Sequence, residues 1–265
     1  MDLNEIKQRE DKYKENNYCG LKTPCEVKSF GNVPILLSAP HSVKQKRNGE
    51  LKAHEFYTGA ITEYLAEEIG CSYITKRYVN VDDYNDDVNF QDETCAYKSV
   101  MNQFLQEHHI ELFVDIHGLS SKRESVVDIC TNNNINTNGS TVYVQYLKEI
   151  IGKSFGDNSA SVDKYFSAAS SCVLSAWINH TYGIPAVELE INGAYRWFEG
   201  DCTNQSKVLF NCIAQWLREM RDGLETRHSP KTVMSPCDGC RYEEECALCD
   251  GEPECQLSYN GRSYV

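Results

Sequence analysis

Short aliphatic runs alternate with longer amphipathic stretches along most of this chain. The short runs are typical of buried strands, and they lie at residues 33–39, 71–81, 112–117, 126–130 and 186–191. In the longer stretches apolar or small residues recur at helical spacing, which predicts helices at residues 55–69, 97–108, 142–151, 168–182 and 206–221. This alternation predicts an α/β domain whose mixed or mostly parallel sheet is covered by helices on both faces.

The two ends of the chain do not follow this pattern. Residues 1–30 contain a charged stretch and predict an N-terminal arm, a solvated helix or loose segment without chemistry. Residues 31–225 are long enough for one α/β domain with a full core. Residues 226–265 hold too few apolar side chains to fold unaided, so they predict a small cysteine-rich appendage that needs a cross-link.

Composition and charge exclude some classes of function. Hydrophobic residues make up 41% of the chain and charged residues 25%, which is ordinary for a globular protein. The formal charge of −13 argues against a nucleic-acid partner, because binding phosphates requires a basic surface. No apolar run approaches the length of about 18 residues that a membrane-spanning helix needs, so we expect no membrane association.

The cysteines fall into two groups. Eight of the 13 are scattered through the body, and the N-terminal segment has no apolar core of a signal peptide, so we expect reduced thiols and a cytoplasmic location. The other five form two CxxC pairs and a fifth cysteine within residues 226–265. This spacing predicts thiolate ligation of zinc or an iron-sulfur cluster by Cys237, Cys240, Cys246, Cys249 and Cys255.

Three of the predicted strands end in residues that bind metals or transfer protons. His41 follows the first strand, His117 ends the 112–117 strand, and Glu190 lies near the end of the 186–191 strand. Glu55, predicted in the first turn of the next helix, completes the two imidazoles and one carboxylate of a hydrolytic zinc site. Glu190 would be the general base, although Glu188 on the same strand faces the same way.

These segments resemble the N-formylglutamate amidohydrolase family, a branch of the zinc carboxypeptidase-like amidohydrolases. The resemblance is carried by Ser-Ala-Pro-His-Ser at 38–42, Glu55 at the head of a helix, Asp-Ile-His-Gly at 115–118 and Leu-Glu-Ile at 189–191. It implies a phosphorylase/hydrolase-like three-layer α/β/α sandwich with a mixed sheet. It also implies that His41, Glu55 and His117 bind zinc and that Glu190 is the catalytic glutamate.

The resemblance further implies arginines that hold a substrate carboxylate. Arg196, after the Glu190 strand, is the best candidate, with Arg77 and Arg47 as further candidates. The implied reaction is hydrolysis of an amide bond in a small acidic N-acyl amino acid or peptide by a metal-activated water. Two departures from the carboxypeptidase pattern stand out. Its closely spaced HxxE ligands are fourteen positions apart here, and His54, beside Glu55, competes for the ligand role.

Two other classes of function remain open at this stage. The chain could be a catalytically inactive binding or regulatory module, or an iron-sulfur or redox protein whose cysteine-rich tail carries the chemistry. A serine hydrolase is disfavoured because the sequence has no GxSxG motif.

Overall fold

The centre of the fold is a seven-stranded mixed sheet. The computed structural model describes residues 2–91, 95–198 and 203–228. The strands are β1 Gly20–Ser29, β2 Ile35–Ala39, β3 Gln45–Arg47, β4 Glu50–Lys52, β5 Ser72–Tyr78, β6 Leu112–Leu119, β7 Val127–Cys130, β8 Ala160–Val162 and β9 Ala186–Asn192. Their order in the large sheet is β1-β5-β2-β6-β9-β7-β8. Strands β5, β2, β6 and β9 are parallel, β1 is antiparallel at one edge, and β7 runs antiparallel to β9 with β8 parallel beside it.

Helices cover both faces of this sheet. They are α1 Leu3–Asp11, α2 Glu15–Tyr18, α3 Thr58–Ile69, a 3-10 turn Val88–Phe90, α4 Ala96–Glu107, α5 Val142–Phe155, α6 Leu174–Tyr182, α7 Gly193–Arg196 and α8 Thr203–His228. On one face, α4 and α6 pack Met101, Phe104 and Trp177 against Leu36 and Phe113 of the strands. Because successive strand residues point to opposite faces, the neighbouring positions face the layer where α3 contacts β2, β5 and β6. The predicted three-layer α/β/α sandwich with a mixed sheet is confirmed.

The predicted strands and helices of the body are all present, with ends shifted by up to seven residues. Two regions differ. Residues 43–52, a polar stretch for which the sequence predicted no strand, form the small hairpin of β3 and β4. Strand β8 was not predicted, because it has only three residues and only Ala160 of them is fully buried.

Residues 1–30, predicted as an arm, are part of the fold. Residues 20–29 form the edge strand β1, whose mostly exposed side chains and internal Pro24 hide the strand pattern in the sequence. Ile6 and Tyr13 are fully buried. The Tyr13 hydroxyl lies 2.8 Å from the Thr75 hydroxyl and also donates to the Glu63 carboxylate. The first thirty residues therefore close one end of the core.

The predicted domain boundaries at 30 and 225 stay predictions. The structure divides into a unit ending at Asp222 and a second beginning at Gly223, of which only the end of α8 is described. The five tail cysteines, Cys237, Cys240, Cys246, Cys249 and Cys255, lie outside the described residues. None of the described helices is long and apolar enough to cross a membrane.

The buried Glu10 gives the N-terminal segment a testable pH dependence. Its Oε1 accepts hydrogen bonds from the Tyr57 backbone N–H and the Tyr18 hydroxyl, and burial raises the pKa of Glu10 to about 7. The folded protein therefore holds this proton more tightly than the unfolded chain does. The protonated carboxyl makes its full contribution to the free energy of unfolding below about pH 4.5. This contribution is lost as the pH rises through about 7.

We expect Glu10→Gln to stabilise the protein above pH 7, by on the order of 2 kcal/mol, because the amide keeps the Oε1 acceptor without the charge. Urea unfolding at pH 5 and pH 8 measures the difference. Glu15→Gln, which changes an exposed carboxylate of the same segment, should have an effect of less than about 0.5 kcal/mol at either pH. A Glu10→Gln protein that is no more stable than the wild type at pH 8 would contradict this account.

Candidate metal centre

The parallel register of three strands brings the site residues to one edge of the sheet. Ser38 of β2 lies beside Asp115 of β6, and β6 in turn places His117 beside Glu190 of β9. His41 follows the end of β2 by two residues. Since parallel strands present their carboxyl ends on the same side, the chemistry of all three strands meets there.

The three predicted ligands come together at this edge. One carboxylate oxygen of Glu55, Oε1, lies 2.9 Å from His41 Nδ1, and the other, Oε2, lies 3.4 Å from His117 Nδ1. One ligand atom from each residue lies within 4.8 Å of those of the other two. The imidazole rings are almost perpendicular, with centroids 4.6 Å apart. Both Nδ1 atoms and the carboxylate therefore face a common point.

Glu55 reaches the site from a turn and not from a helix. The sequence placed it in the first turn of α3, but α3 begins at Thr58, because Tyr57 has a left-handed backbone with φ of 65°. The turn is fixed at both ends. The Glu55 backbone N–H donates to the His41 carbonyl over 2.9 Å, and Glu55 Oε2 accepts from the Gly118 N–H over 2.7 Å. The carboxylate is thus held between both histidine segments.

Each histidine is oriented by a second, fully buried carboxylate. His41 Nε2 lies 3.1 Å from Asp87 Oδ1, and His117 Nε2 lies 3.0 Å from Asp115 Oδ2. A histidine that donates its Nε2–H to a carboxylate keeps its Nδ1 lone pair for a metal, and the carboxylate makes the imidazole a better ligand.

The sequence assigned no role to either aspartate. The role of Asp115 could have been found from the sequence. It lies two positions before His117 on the same strand, so both side chains point to the same face. Asp87 lies in an acidic, asparagine-rich stretch at residues 82–89 that contains three other aspartates. No sequence spacing connects it to His41.

Opposed charges set the protonation of this cluster. Burial alone would lower the pKa of His41, but the charges of Glu55 and Asp87 outweigh it and raise the pKa to about 9. Burial would likewise lower the pKa of His117, yet Asp115 and Glu55 raise it well above its usual range. For Glu55 the effect is reversed, because the two imidazoles overcome burial and hold its carboxyl pKa far below normal. The site therefore attracts positive charge to this point.

Two further carboxylates line the site from β9. Burial raises the pKa of Glu188 to about 7 and that of Glu190 to about 8. Glu188 Oε2 accepts a 3.4 Å hydrogen bond from the Ser175 hydroxyl. Glu190 Oε2 is buried and has no hydrogen-bond partner among the described residues. An unpaired buried acceptor beside the ligands suits a group that exchanges protons with a substrate.

The three predicted arginines have different surroundings. Arg196 is buried on α7, where its Nε donates to the Ile191 carbonyl over 2.8 Å and its Nη1 donates to the Phe56 carbonyl. Arg47 bonds Asp87 Oδ2 through Nε and Nη2, at 2.9 and 2.5 Å. Arg77 is not brought to the site. It lies 3.5 Å from Glu26 and over the Tyr13 ring, because its position on β5 faces the N-terminal segment.

His54, the predicted competitor for the ligand role, points away from the metal position. Its ring stacks on Tyr18 with centroids 3.4 Å apart and contacts Phe56 edge to face. Burial lowers the pKa of His54 to about 4, so it is neutral.

The donor set fits a divalent transition metal. Two imidazole nitrogens and one carboxylate are common ligands of zinc, and both imidazoles have the outer carboxylates that such sites use. Among the described residues, five carboxylates lie within or next to the cluster, and the nearby arginines are Arg47 and Arg196. The carboxylates are those of Glu55, Asp87, Asp115, Glu188 and Glu190. A divalent cation would take the place of the protons that these carboxylates hold on the two imidazoles. A second possible grouping, Asp115, His117 and Glu188, shares His117 and so cannot bind independently.

Comparisons with known proteins agree with the fold. No protein-family model and no curated protein sequence matches the chain. The N-formylglutamate amidohydrolase from Ralstonia eutropha JMP134 has a similar structure, with a TM-score of 0.53 and 10% identity over 77% of this chain and 99% of the other. The resemblance predicted from the sequence is therefore confirmed at the level of the fold.

Two further solved structures are also hydrolases by name. A bacteriophage poly-gamma-glutamate hydrolase matches with a TM-score of 0.47 and 14% identity over 78% of this chain and 92% of the other. A metallo-carboxypeptidase from Pseudomonas aeruginosa matches with a TM-score of 0.45 and 14% identity over 73% of this chain and 58% of the other.

Gly118 offers a test of how closely the site is packed. A Cβ atom at this position would lie 2.7 Å from Arg196 Cζ and 3.0 Å from Glu55 Cβ, so Gly118→Ala must shift the Arg196 guanidinium and also crowds Glu55. Because Arg196 bonds the Phe56 carbonyl next to Glu55, this shift disturbs the position of the ligand, and we expect metal affinity to fall by about 10- to 100-fold. Titration with zinc against a chromophoric chelator measures this.

Gly152→Ala is the matched control. A Cβ at Gly152 in α5 would have its nearest neighbour at 3.7 Å, so this variant should keep the affinity of the wild type and gain up to about 1 kcal/mol of stability. Equal zinc affinity in the two variants would show that Glu55 does not depend on this packing.

Proposed function

We propose that this protein is a zinc-dependent hydrolase that cleaves the amide bond of an N-acyl amino acid or small peptide. The observation that carries the proposal is the Glu55 carboxylate facing the Nδ1 atoms of His41 and His117, each histidine being backed by a buried aspartate. The fold shared with an N-formylglutamate amidohydrolase supports the same class of reaction.

In this proposal His41, Glu55 and His117 hold the zinc, and Glu190 is the general base. A zinc ion bound there would polarise the scissile carbonyl and make the attacking water more acidic. Glu190 takes a proton from the water at its unpaired Oε2 and passes it to the nitrogen of the leaving amine. Asp87 and Asp115 keep both imidazoles oriented throughout.

Arg196 is the proposed partner of a substrate carboxylate. Its Nε and Nη1 already bond backbone carbonyls, so its remaining N–H groups are the ones that would reach a substrate. Arg47 would act indirectly, through its ion pair with Asp87. Arg77 has no part in this proposal, because it bonds the N-terminal segment.

Measurements of metal content and of turnover distinguish the metal ligands from the general base. His117→Ala should lose the zinc of this site together with activity, because it removes a ligand. Glu190→Gln should retain the zinc but lower kcat by about 10²- to 10⁴-fold, because it removes only the base. Zinc content by mass spectrometry and hydrolysis of a panel of N-acyl amino acids measure both effects.

Glu188→Gln identifies which of the neighbouring carboxylates is the base, and the exposed Glu50→Gln is the neutral control. If Glu188→Gln abolishes turnover and Glu190→Gln does not, Glu188 is the base. If wild-type protein loaded with zinc hydrolyses no member of the panel, the function as a hydrolase is wrong.

For the cysteine-rich tail we propose a separate thiolate-bound zinc or iron-sulfur cluster, supported by its two CxxC pairs. Cys237→Ser combined with Cys240→Ser should remove one bound metal while the His41 site stays loaded. Cys172→Ser, in the body, is the control and should change neither. An unchanged metal content in the double variant would refute tail binding.

Metal analysis also tests the remaining classes of function. Iron with acid-labile sulfide and no hydrolysis would favour a redox protein, whereas zinc without hydrolysis would favour a binding module. We further propose a cytoplasmic location, because each of the seven described cysteines is an unpaired thiol.

A further inference from the structure

An exposed pair of aromatic rings lies beside the metal centre. Phe56 is 40% exposed and Trp197 is 43% exposed, although both are large apolar side chains. Their rings meet edge to face, with centroids 5.5 Å apart and an angle of 86° between the planes. In the sequence they directly follow Glu55 and Arg196, two residues of the site.

The two rings are supported from below by other aromatic side chains. Phe56 packs edge to face on His54 at 4.2 Å, and His54 is itself stacked on Tyr18. Trp197 packs edge to face on Tyr57 at 6.3 Å. Neither ring needs to move to present its exposed surface, so a ligand would bind without a large loss of side-chain entropy.

Backbone contacts connect this aromatic pair to the metal ligands. Arg196 Nη1 donates to the Phe56 carbonyl, and the Arg196 guanidinium packs directly on Gly118. The Gly118 N–H in turn donates to the carboxylate of Glu55 over 2.7 Å. Both aromatic residues are therefore tied through the backbone to the segments that carry Glu55 and Arg196.

We propose that Phe56 and Trp197 form a subsite for an apolar or aromatic side chain of the substrate, next to the scissile amide. This inference rests on the proposed function and narrows the substrate to N-acyl amino acids or peptides with a bulky apolar group. Two rings are too small a surface for a stable protein partner, which typically buries about 800 Å² on each side. The two rings instead match a single side chain of a substrate. Such a side chain would bind by burying its apolar surface and by packing on the aromatic faces.

The test compares two substrates that differ only in their side chain, N-acetylphenylalanine and N-acetylglycine. The wild type should prefer N-acetylphenylalanine, and Phe56→Ala or Trp197→Ala should reduce the ratio of the two kcat/KM values by about 10-fold or more. Val142→Ala, which removes an exposed apolar side chain from α5, should leave the ratio as it is. An unchanged ratio in both aromatic variants would overturn the subsite, even if the enzyme is active.

Fluorescence makes the subsite testable without turnover. The other two tryptophans, Trp177 and Trp216, are 8% and 0% exposed, so quenching by acrylamide reports mainly on Trp197. N-acetylphenylalanine should protect this tryptophan from quenching more than N-acetylglycine does, and Phe56→Ala should weaken the protection. Protection without hydrolysis would uphold the subsite and reject the hydrolase. Hydrolysis without any difference in protection or in kcat/KM would uphold the hydrolase and reject the subsite.

Discussion

The carboxylate of Glu55 is the contact on which the site depends. It faces His41 through one oxygen, and His117 and the Gly118 N–H through the other, so it joins the segments after β2 and along β6. A carboxylate in this position is costly unless positive charge compensates it. The imidazoles supply that charge as protons in the metal-free protein, and a divalent cation would replace those protons. The same geometry that stabilises Glu55 therefore suits a divalent cation.

Strand order explains why the sequence alone indicated which side chains would meet. His41, His117 and Glu190 each occur at the end of an aliphatic run, and in a sheet of parallel strands such ends meet at one edge. The resemblance carried by the same segments implied the fold, which is confirmed, and a ligand set, which stays a prediction. Periodicity also located α3, α4, α5, α6 and α8, because each buries an apolar stripe against the sheet or a neighbouring helix.

What the sequence could not give depends on tertiary contacts. Asp87 becomes a partner of His41 only because the loop after β5 folds back over the end of β2, and nothing in an acidic, asparagine-rich segment marks one residue as buried. Edge strand β1 was missed because an edge has little apolar surface to bury. Arg77 and Arg47 were candidates for binding a substrate carboxylate because they are cations. In the structure each forms an ion pair within the protein, Arg77 with Glu26 and Arg47 with Asp87.

Burial gives Arg196 a structural role in addition to its predicted role in substrate binding. An arginine that only captured an anion from solvent would remain hydrated, whereas burial lowers the pKa of this guanidinium and leaves Glu55, Glu190 and Glu10 as the charges that support it. Two of its N–H groups are committed to the backbone at Ile191 and Phe56. It therefore fixes the end of β9, the turn that carries Glu55 and the base of the aromatic pair in one arrangement. If Phe56 and Trp197 bind a substrate side chain as proposed, Arg196 connects that subsite to the strand that carries Glu190. Binding energy from a remote apolar group can then contribute to orienting the amide at the reacting centre.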